Sequence, residues 1–405
     1  MGPLEGIRVL DMTIWQQGPV AAMYLAEMGA EVIKVEDPFV GDLGRQVLKI
    51  QGAMAGPPDM KLNSYFEAHN RNKKAIAINL KYDRGRECFY RLVACSDVFI
   101  SNYTPDTLKK LGVDYGTLVE FNPKLIYATA NGYGPEGPDT NKGAFDLAAQ
   151  ARGGFMSIVP YEGQPPSDAG NGTADQVGGL MLAYTISTAL LARERKGIGQ
   201  QVSSSLLGSI ISINSTWVHS YLFSGTLPRK APRTEAINPF WNTYQAKDGK
   251  WFIISMARTD DVWSGTCQAL ELPELENDPR FDAHEKRLEN NKELVAIFDR
   301  VFVTSNREEW LKRLDVAGVI CAPVNTFADV VCDPQVIING YITEIDHPTA
   351  GRCQIVGIPS HFSRTPVAIT QPAPQLGQHT EEVLCELGGY SWEEIAGLKE
   401  EGAII

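Results

Sequence analysis

Residues 7–42 read IRVLDMTIWQQGPVAAMYLAEMGAEVIKVEDPFVGD, a stretch with the pattern of strand, helix and strand. Residues 7–10 are a short apolar run, and Pro19 then suits the first turn of a helix. Residues 20–28 carry apolar side chains at helical spacing, and Gly29 is placed to end that helix. Residues 31–35 form the next apolar strand. Two parallel strands joined by a helix predict the first unit of a doubly wound, Rossmann-like α/β sheet.

The alternation of strand and helix patterns continues beyond this unit. Strands are predicted at 75–80, 97–101 and 125–130, with helices at 84–94 and after Pro105. A glycine- and proline-rich loop follows at residues 131–138. Because loops at the carboxyl ends of parallel strands commonly contact ligands, we expect this loop to lie near a binding site.

The sequence changes character after its longest helical pattern, which begins at Asp175. Charged helical patterns occupy 260–269, 284–303 and 307–317. Residues 341–356 alternate like antiparallel strands, and 381–387 fits a closing amphipathic helix. We predict a large α/β domain with an N-terminal part at 1–225, a linker at 226–239, a smaller α+β domain at 240–325, a linker at 326–340 and a C-terminal segment at 341–405 that completes the large domain.

The composition and charge of the chain disfavour several classes of function. The 405 residues include 37 Lys plus Arg and 49 Asp plus Glu, a net charge of −12, which disfavours nucleic-acid binding. The seven cysteines form no CxxC pair and the six histidines are scattered, so we expect reduced thiols and no metal site. The N-terminus does not resemble a signal peptide, and the longest apolar run is too short and polar to span a bilayer. We therefore expect a cytoplasmic protein.

Common nucleotide and hydrolase motifs are missing. The turn after the first strand reads Thr13-Ile-Trp-Gln-Gln-Gly-Pro, which is not the GxGxxG of dinucleotide-binding folds. No P-loop, GxSxG or HExxH motif occurs elsewhere. Composition and periodicity alone thus lead only to an α/β protein with two domains.

Several motifs make the chain similar to the class III CoA-transferases. That family reads V-L-D-x-T-x-x-x-A-G-P, then L-A-D-x-G-A-x-V-I-K-V-E and G-D, and residues 9–42 follow this order. Further blocks agree in the same order: Tyr65-Phe66, Asn70-Arg-Asn-Lys-Lys, Asn102-Tyr-Thr-Pro, Gly132-Tyr-Gly-Pro-Glu-Gly-Pro and Pro374-Gln-Leu-Gly-Gln-His-Thr. The resemblance, which covers nearly the whole chain, implies transfer of coenzyme A between an acyl-CoA and a carboxylic acid.

The resemblance implies a nucleophile at Asp175. The family has an aspartate in a G-x-x-x-x-D-x-x-x-G segment, which residues 170–179 match. The aspartate would attack the thioester, form a mixed anhydride and then carry CoA as an aspartyl thioester. The segment alone equally fits a helix N-cap, and a helix N-terminus is expected to keep the carboxylate ionised. Gly172 and residues 132–137 are candidate sources of N–H donors for the oxyanions.

Gln16 is the second predicted catalytic residue. It matches a glutamine beside the nucleophile in formyl-CoA transferase, where an amide can orient an acyl oxygen without titrating. A capping side chain on the first helix is the alternative. Trp15 and Gln17 depart from the usual family pattern, so both are expected to reshape the acyl pocket.

The resemblance also implies residues that surround the coenzyme A thioester. The predicted set is Gln17, Asn72, Lys73, Lys74, Leu80, Lys81, Asn102, Tyr103, Lys110, Lys142 and Asp146. Each lysine equally fits a solvated surface charge, whereas the flat ring of Tyr103 suits stacking on a purine. Asp37 stands where formyl-CoA transferase has an arginine, so Arg45 or Lys142 is expected to supply the missing charge.

Three other functions stay open. The related α-methylacyl-CoA racemases read Gly-His-Asp where this chain has Ala144-Phe145-Asp146, and a phenylalanine cannot accept a proton. A non-catalytic CoA-binding protein would be expected to lose the nucleophile. A hydrolase would release free CoA without exchange, so mixing donor and acceptor CoA species distinguishes all of these.

The resemblance further implies an interlocked homodimer whose two linkers cross between subunits. Coenzyme A thioesters would be substrates, with no permanently bound cofactor. Residues 236–244 look more like the versions that act on aryl-lactate or carnitine-type acids. A pocket containing Trp15, Phe240 and Trp241 would suit an acid larger than formate or oxalate.

Overall fold

The computed structural model describes residues 2–47, 49–50, 53–54, 56, 62–170 and 172–405. The strands are β1 (Arg8–Met12), β2 (Glu31–Glu36), β3 (Lys49–Ile50), β4 (Ala53–Met54), β5 (Lys73–Ala77), β6 (Val98–Ser101), β7 (Ile126–Asn131), β8 (Gln200–Ser205), β9 (Trp241–Gln245), β10 (Trp251–Ser255), β11 (Cys321–Pro323), β12 (Ile342–His347) and β13 (Gly351–Val356).

The helices lie between and after these strands. They are α1 (Gln17–Glu27), α2 (Ser64–Asn70), α3 (Asp83–Ala94), α4 (Pro105–Leu111), α5 (Tyr115–Phe121), α6 (Asp146–Arg152), α7 (Phe155–Ile158), α8 (Thr173–Lys196), α9 (Leu206–Ile213), α10 (Ser215–Ser224), α11 (Asp260–Ala269), α12 (His284–Glu289), α13 (Asn291–Phe302), α14 (Arg307–Val316), α15 (Phe327–Val330), α16 (Pro334–Ile338), α17 (Thr380–Glu386) and α18 (Trp392–Glu400).

Six strands form a parallel sheet in the order β5-β2-β1-β6-β7-β8. Each neighbouring pair is in parallel register, for example Val9 beside Val32 and Val98. The chain builds outward in one direction from β1 to β5 and in the other from β6 to β8, so the order reverses between β1 and β6. In open α/β sheets, ligands bind outside the carboxyl ends of the strands at such a switch point.

Helices cover both faces of this sheet. On one face, Leu10 and Phe99 of the strands pack with Phe89 of α3, Leu108 of α4 and Leu384 of α17. On the other face, strand residues including Val9 and Ile100 pack with apolar residues of α1 and α8. Strands buried on both sides need apolar residues at successive positions, which explains the continuous runs in the sequence. The predicted α/β class with a parallel sheet is confirmed.

The chain divides into two compact units. Unit 1 contains residues 1–159, 166–226 and 337–405, and unit 2 contains 160–165 and 227–336. Unit 2 has a three-stranded antiparallel sheet of order β11-β10-β9, and its own core includes Phe252, Phe298 and Trp310. Residues 160–165, which the sequence analysis assigned to the large domain, belong instead to unit 2.

Two local predictions differ from the structure, and one strand was missed. The charged pattern at 284–303 forms two helices, α12 and α13, which meet at Asn290. The helix at 381–387 does not close the chain, because α18 follows it after a capping box at Ser391. Strand β8 was not predicted, since its sequence QQVSSS has one apolar residue and lies at the sheet edge. None of the helices in the described residues is both long and apolar enough to cross a bilayer.

Candidate active site

A cavity of about 220 Å³ opens in unit 1 at the reversal of strand order. Segments that follow four parallel strands form its wall: Ile14 and Trp15 after β1, Asn102 and Tyr103 after β6, Gly132 after β7 and Leu206 after β8. The first turn of α8 contributes Asp175. The topology of the sheet therefore brings these motif residues together around one cavity.

Asp175 lies in the first turn of α8 and not at its N-cap. The N-cap is Gly172, which has a φ of 85°, and Thr173 is the first helical residue. This φ favours glycine, and a Cβ at position 172 would lie 2.5 Å from Nε2 of Gln16, so a larger residue would be strained and would displace the Gln16 amide. The N-cap alternative for Asp175 was wrong. Its side chain is partly exposed and lines the cavity.

The N–H groups at the start of α8 go to Asp146 rather than to Asp175. Oδ1 of Asp146 accepts from the main-chain N–H groups of Ala174 at 2.6 Å and Asp175 at 3.1 Å. Its Oδ2 accepts from Nε2 of Gln150 at 2.7 Å. The buried Asp146 thus caps α8 from the neighbouring helix α6, although the sequence analysis assigned it to cofactor binding.

These contacts determine the electrostatics of Asp175. Burial first, and then the negative charge of Asp146, raise the pKa of Asp175 to about 7, against a smaller lowering by the main-chain N–H of Gln17. The expectation that the helix terminus keeps Asp175 fully ionised was therefore wrong, because Asp146 already accepts its N–H groups. At neutral pH about half of the Asp175 side chains are ionised.

Gln16 and Gln17 have different positions around Asp175. Gln16 is the N-cap residue of α1, but its side chain makes no capping hydrogen bond, which rules out the structural alternative. It lies against Gly172, in the turn that leads to Asp175. Gln17 lines the cavity, and its Nε2 lies 3.5 Å from the carbonyl oxygen of Ser204. Both residues are buried.

Aromatic side chains form part of the cavity wall. The rings of Trp15 and Phe145 meet edge to face with centroids 5.9 Å apart, and Phe145 is 67% exposed. The prediction that Phe240 contributes to the acyl pocket was wrong. Phe240 is fully buried in the core of unit 2, where it packs on Phe298, while Trp241 is exposed on unit 2.

Tyr65 is a site residue that the sequence analysis quoted only as part of a motif. It lines the cavity, and burial together with the charge of Asp175 raises its phenol pKa, so it stays protonated. The ring of His69 meets it edge-on with centroids 4.7 Å apart. Burial and the nearby Lys73 lower the pKa of His69 to about 3, which keeps this imidazole neutral. The sequence does not show which groups a tyrosine lies near, so the motif alone did not identify Tyr65 as a hydrogen-bond donor in this cavity.

Four of the predicted coenzyme A residues line this cavity: Gln17, Asn102, Tyr103 and Lys142. Burial raises the pKa of Tyr103 to about 12, so its hydroxyl also stays protonated. Lys142 is well exposed, and its nearest acid is Asp139 at 4.0 Å. Thr140 and Tyr103 also line an adjoining cavity of about 380 Å³, which continues towards Leu108 and Tyr115.

The other predicted binding residues have structural partners or lie outside both cavities. Nζ of Lys73 is fully buried 2.8 Å from Asp11, and Leu80 belongs to the core. Asn72 holds residues 368–371 through its amide, and Arg45 pairs with Glu36 at 2.7 Å. The remaining lysines are Lys74, paired with Glu382, Lys81, 3.4 Å from Asp37, and the exposed Lys110 at the end of α4.

The predicted hydrogen-bond donors for the oxyanions differ in whether they line the cavity and in whether they already donate to another group. Gly132 lines the cavity, whereas the N–H of Gly134 already donates to Oδ1 of Asn131 at 2.7 Å. The main-chain N–H of Gln17, which was not predicted, is the donor that reaches Asp175. Within the described residues, no three His, Cys, Asp or Glu side chains are grouped as a metal site requires.

Comparisons with known proteins all indicate one protein family. The model of CoA-transferase family III matches residues 4–380. The chain is 34% identical to the succinyl-CoA:glutarate CoA-transferase of Mus musculus, covering 100% of this chain and 91% of that protein. It is 31% identical to the formyl-CoA:oxalate CoA-transferase of Streptomyces coelicolor, covering 99% of each. The crystal structure of a CAIB/BAIF family protein from Brucella suis superposes with a TM-score of 0.83, at 31% identity over 95% of this chain and 99% of the other.

Proposed function

Because the chain belongs to CoA-transferase family III, we propose that it moves coenzyme A from an acyl-CoA to a carboxylic acid through a thioester on Asp175. The observation that carries this proposal is the position of Asp175. Its carboxylate lines the cavity at the switch point and has a pKa near 7. A carboxylate with a raised pKa is a stronger nucleophile than an ordinary one, while about half of it is still ionised at neutral pH.

The proposed reaction has four acyl-transfer steps. The Asp175 carboxylate attacks the donor thioester, the C–S bond breaks, and CoA leaves as a thiolate. The thiolate attacks the aspartyl carbonyl of the mixed anhydride, which gives the aspartyl-CoA thioester and frees the donor acid. The acceptor carboxylate attacks this thioester and again releases the thiolate. The thiolate then attacks the acceptor carbonyl of the second anhydride, which restores Asp175.

Each attack places negative charge on a carbonyl oxygen, so donors are needed beside Asp175. The main-chain N–H of Gln17 already points at this carboxylate. Tyr65 stays protonated on the cavity wall, and the amide of Gln16 lies by the turn before Asp175. We assign these three groups to stabilise the oxyanions and orient the acyl oxygen.

The two adjoining cavities suit an elongated thioester. Tyr103 lines both, so its ring is placed to contact the pantetheine or adenine part of coenzyme A. Lys142 on the wall and the exposed Lys110 on α4 are the cations that we assign to its phosphates. Phe145 stands on the wall where a racemase would need a base, which favours transfer over racemisation.

The direct test traps the covalent intermediate. We expect wild-type protein incubated with its acyl-CoA donor and quenched with hydroxylamine or borohydride to yield a peptide modified at Asp175. Succinyl-CoA and formyl-CoA are the first donors to try, because two relatives are named for them. A parallel sample with free CoA and the acid should stay unmodified. Exchange of CoA with no adduct on Asp175, or with the adduct elsewhere, would contradict the proposal.

We also propose that the protein is a homodimer. Helices α8, α9 and α10 of unit 1 expose large apolar side chains, among them Leu180, Tyr184, Trp217, Tyr221 and Phe223, the last of which is 86% exposed. Apolar residues concentrated on neighbouring helices are typical of an interface. The second copy would cover this face, and the linkers would cross between subunits as the family resemblance implies.

Analytical ultracentrifugation measures the oligomeric state of the protein. We expect the wild-type protein to sediment at twice the 44.5 kDa chain mass and to stay so at nanomolar concentration, as an interlocked dimer would. Replacing Trp217 and Phe223 together by aspartate should reduce the dimer fraction, because two charges would be buried at the interface. Val316→Asp is the matched control, since this exposed valine lies on unit 2. A wild-type protein of single chain mass would refute the dimer.

A further inference from the structure

The turn after β1 is held by the side chain of Asn102, which follows β6. Oδ1 of Asn102 accepts from the N–H of Ile14 at 2.9 Å, and Nδ2 of Asn102 donates to the carbonyl oxygen of Ile14 at 2.6 Å. Both polar atoms of this amide are thus used on one residue of the main chain. The amide continues the pairing of β1 and β6 beyond the last strand residues, Met12 and Ser101.

The residue after Ile14 has a backbone conformation that is unfavourable for a side chain. Trp15 has a φ of 67°, a left-handed conformation that is strained for a residue other than glycine. Its N–H donates to Oδ1 of the fully buried Asp42 at 2.9 Å. The other carboxylate oxygen of Asp42 pairs with Nζ of Lys34 at 2.8 Å, and this ammonium also donates to the carbonyl oxygen of Thr13. Side chains from other segments therefore hold three successive residues of this strained turn, Thr13, Ile14 and Trp15.

The next two residues of the same turn lie beside the start of α8. Gln16 lies against Gly172, and Gln17 lines the cavity with Asp175, where its main-chain N–H lowers the pKa of that carboxyl. An N–H direction is fixed by the preceding backbone angles, so a rotation at residues 14 and 15 moves this donor away from Asp175. Asn102 is the one anchor of the turn that carries no charge, so it can be changed without leaving a buried ion unpaired.

We propose that Asn102 is a positioning residue, whose amide holds the main chain of Ile14 and thereby directs the Gln17 N–H at the Asp175 carboxylate. This proposal rests on the proposed function, and it replaces the expectation that the Asn102 side chain binds coenzyme A. A binding residue would act on the affinity for acyl-CoA. A positioning residue acts on the rate of the bound complex and on the ionisation of Asp175.

The test measures the kinetics of Asn102→Ala between pH 5.5 and 9. We expect kcat to fall about 10-fold, with KM for the acyl-CoA changed less than 3-fold, because the donor is misdirected after binding. The Gln17 N–H lowers the pKa of Asp175, so its loss raises that pKa and moves the acidic limb of the rate profile to higher pH. Asn102→Ser keeps a small polar side chain and adds no charge near Asp175, but it is too short to hold both main-chain groups of Ile14, and it serves if the alanine variant does not fold.

Asn122→Ala is the matched control. The Asn122 amide also bridges main-chain groups, Val93 and Ser96, but at the opposite end of the sheet from the cavity. It should reduce stability to a similar degree and leave the acidic limb in place. A raised KM with wild-type kcat and pH profile in Asn102→Ala overturns the positioning role, as do unchanged kinetics in both Asn102 variants. If wild-type protein shows no adduct on Asp175, the proposed function fails instead, which the trapping experiment detects separately.

Discussion

Asp175→Asn is expected to abolish CoA transfer, with the rate at pH 8 falling by at least ~10³-fold. An amide is a poor nucleophile and cannot form the anhydride or the aspartyl thioester. Trapping with hydroxylamine should then give no modified peptide at position 175. The measurement is exchange of CoA between donor and acceptor acids, followed by separation of the two thioesters. A variant that retains a tenth of the wild-type rate would contradict a covalent role for Asp175.

The loss should not result from unfolding. The pKa of Asp175 is raised in the folded protein, so its ionisation between the ordinary value and about 7 reduces the free energy of unfolding as pH rises. A neutral asparagine removes this cost, and the variant should denature at the same or a higher temperature than wild type at pH 8. Glu194→Gln makes the same chemical change on the exposed end of α8 and should keep full activity.

Asp146→Asn is expected to shift the pH dependence in the acidic direction. The Asp146 charge raises the pKa of Asp175, so its removal lowers that pKa. With a pKa of about 7, roughly a tenth of Asp175 is ionised at pH 6. Relative to its own plateau at pH 8 to 9, the variant should therefore be several-fold more active at pH 6 than wild type. Burial keeps the pKa above its ordinary value, since burial is the larger cause.

The asparagine retains the cap of α8, because its Oδ1 still accepts from the N–H groups of Ala174 and Asp175. Asp97→Asn is a suitable control, since Asp97 also accepts a main-chain N–H, from Arg8, and lies at the amino end of β6. Its acidic limb should coincide with that of wild type. An acidic limb in Asp146→Asn that stays in place or moves to higher pH would refute the proposed coupling of the two carboxylates.

The buried charges inside the sheet include one of the predicted binding residues, Lys73. Asp11 in β1, Lys34 in β2 and Lys73 at the start of β5 are fully buried, and their side chains pair with one another and with Asp42. The resemblance placed Lys73 near the cofactor phosphates because it stands in the matching block Asn70-Arg-Asn-Lys-Lys. A linear sequence does not show that an ammonium points into the sheet, since a solvated and a buried lysine read alike.

The sequence by itself determined the parallel sheet, the family and the choice of Asp175, because apolar periodicity and motif order are local properties that survive in one dimension. Only the tertiary structure decided that Asp146 accepts from the N–H groups of α8, that Tyr65 and the Gln17 N–H lie near Asp175, and that Asn102 holds the turn after β1. These contacts join segments far apart in the chain, and both pKa values and hydrogen-bond partners depend on distance in space. For this reason the motif was sufficient to propose Asp175 as the nucleophile, whereas it did not show the ionisation of this carboxyl.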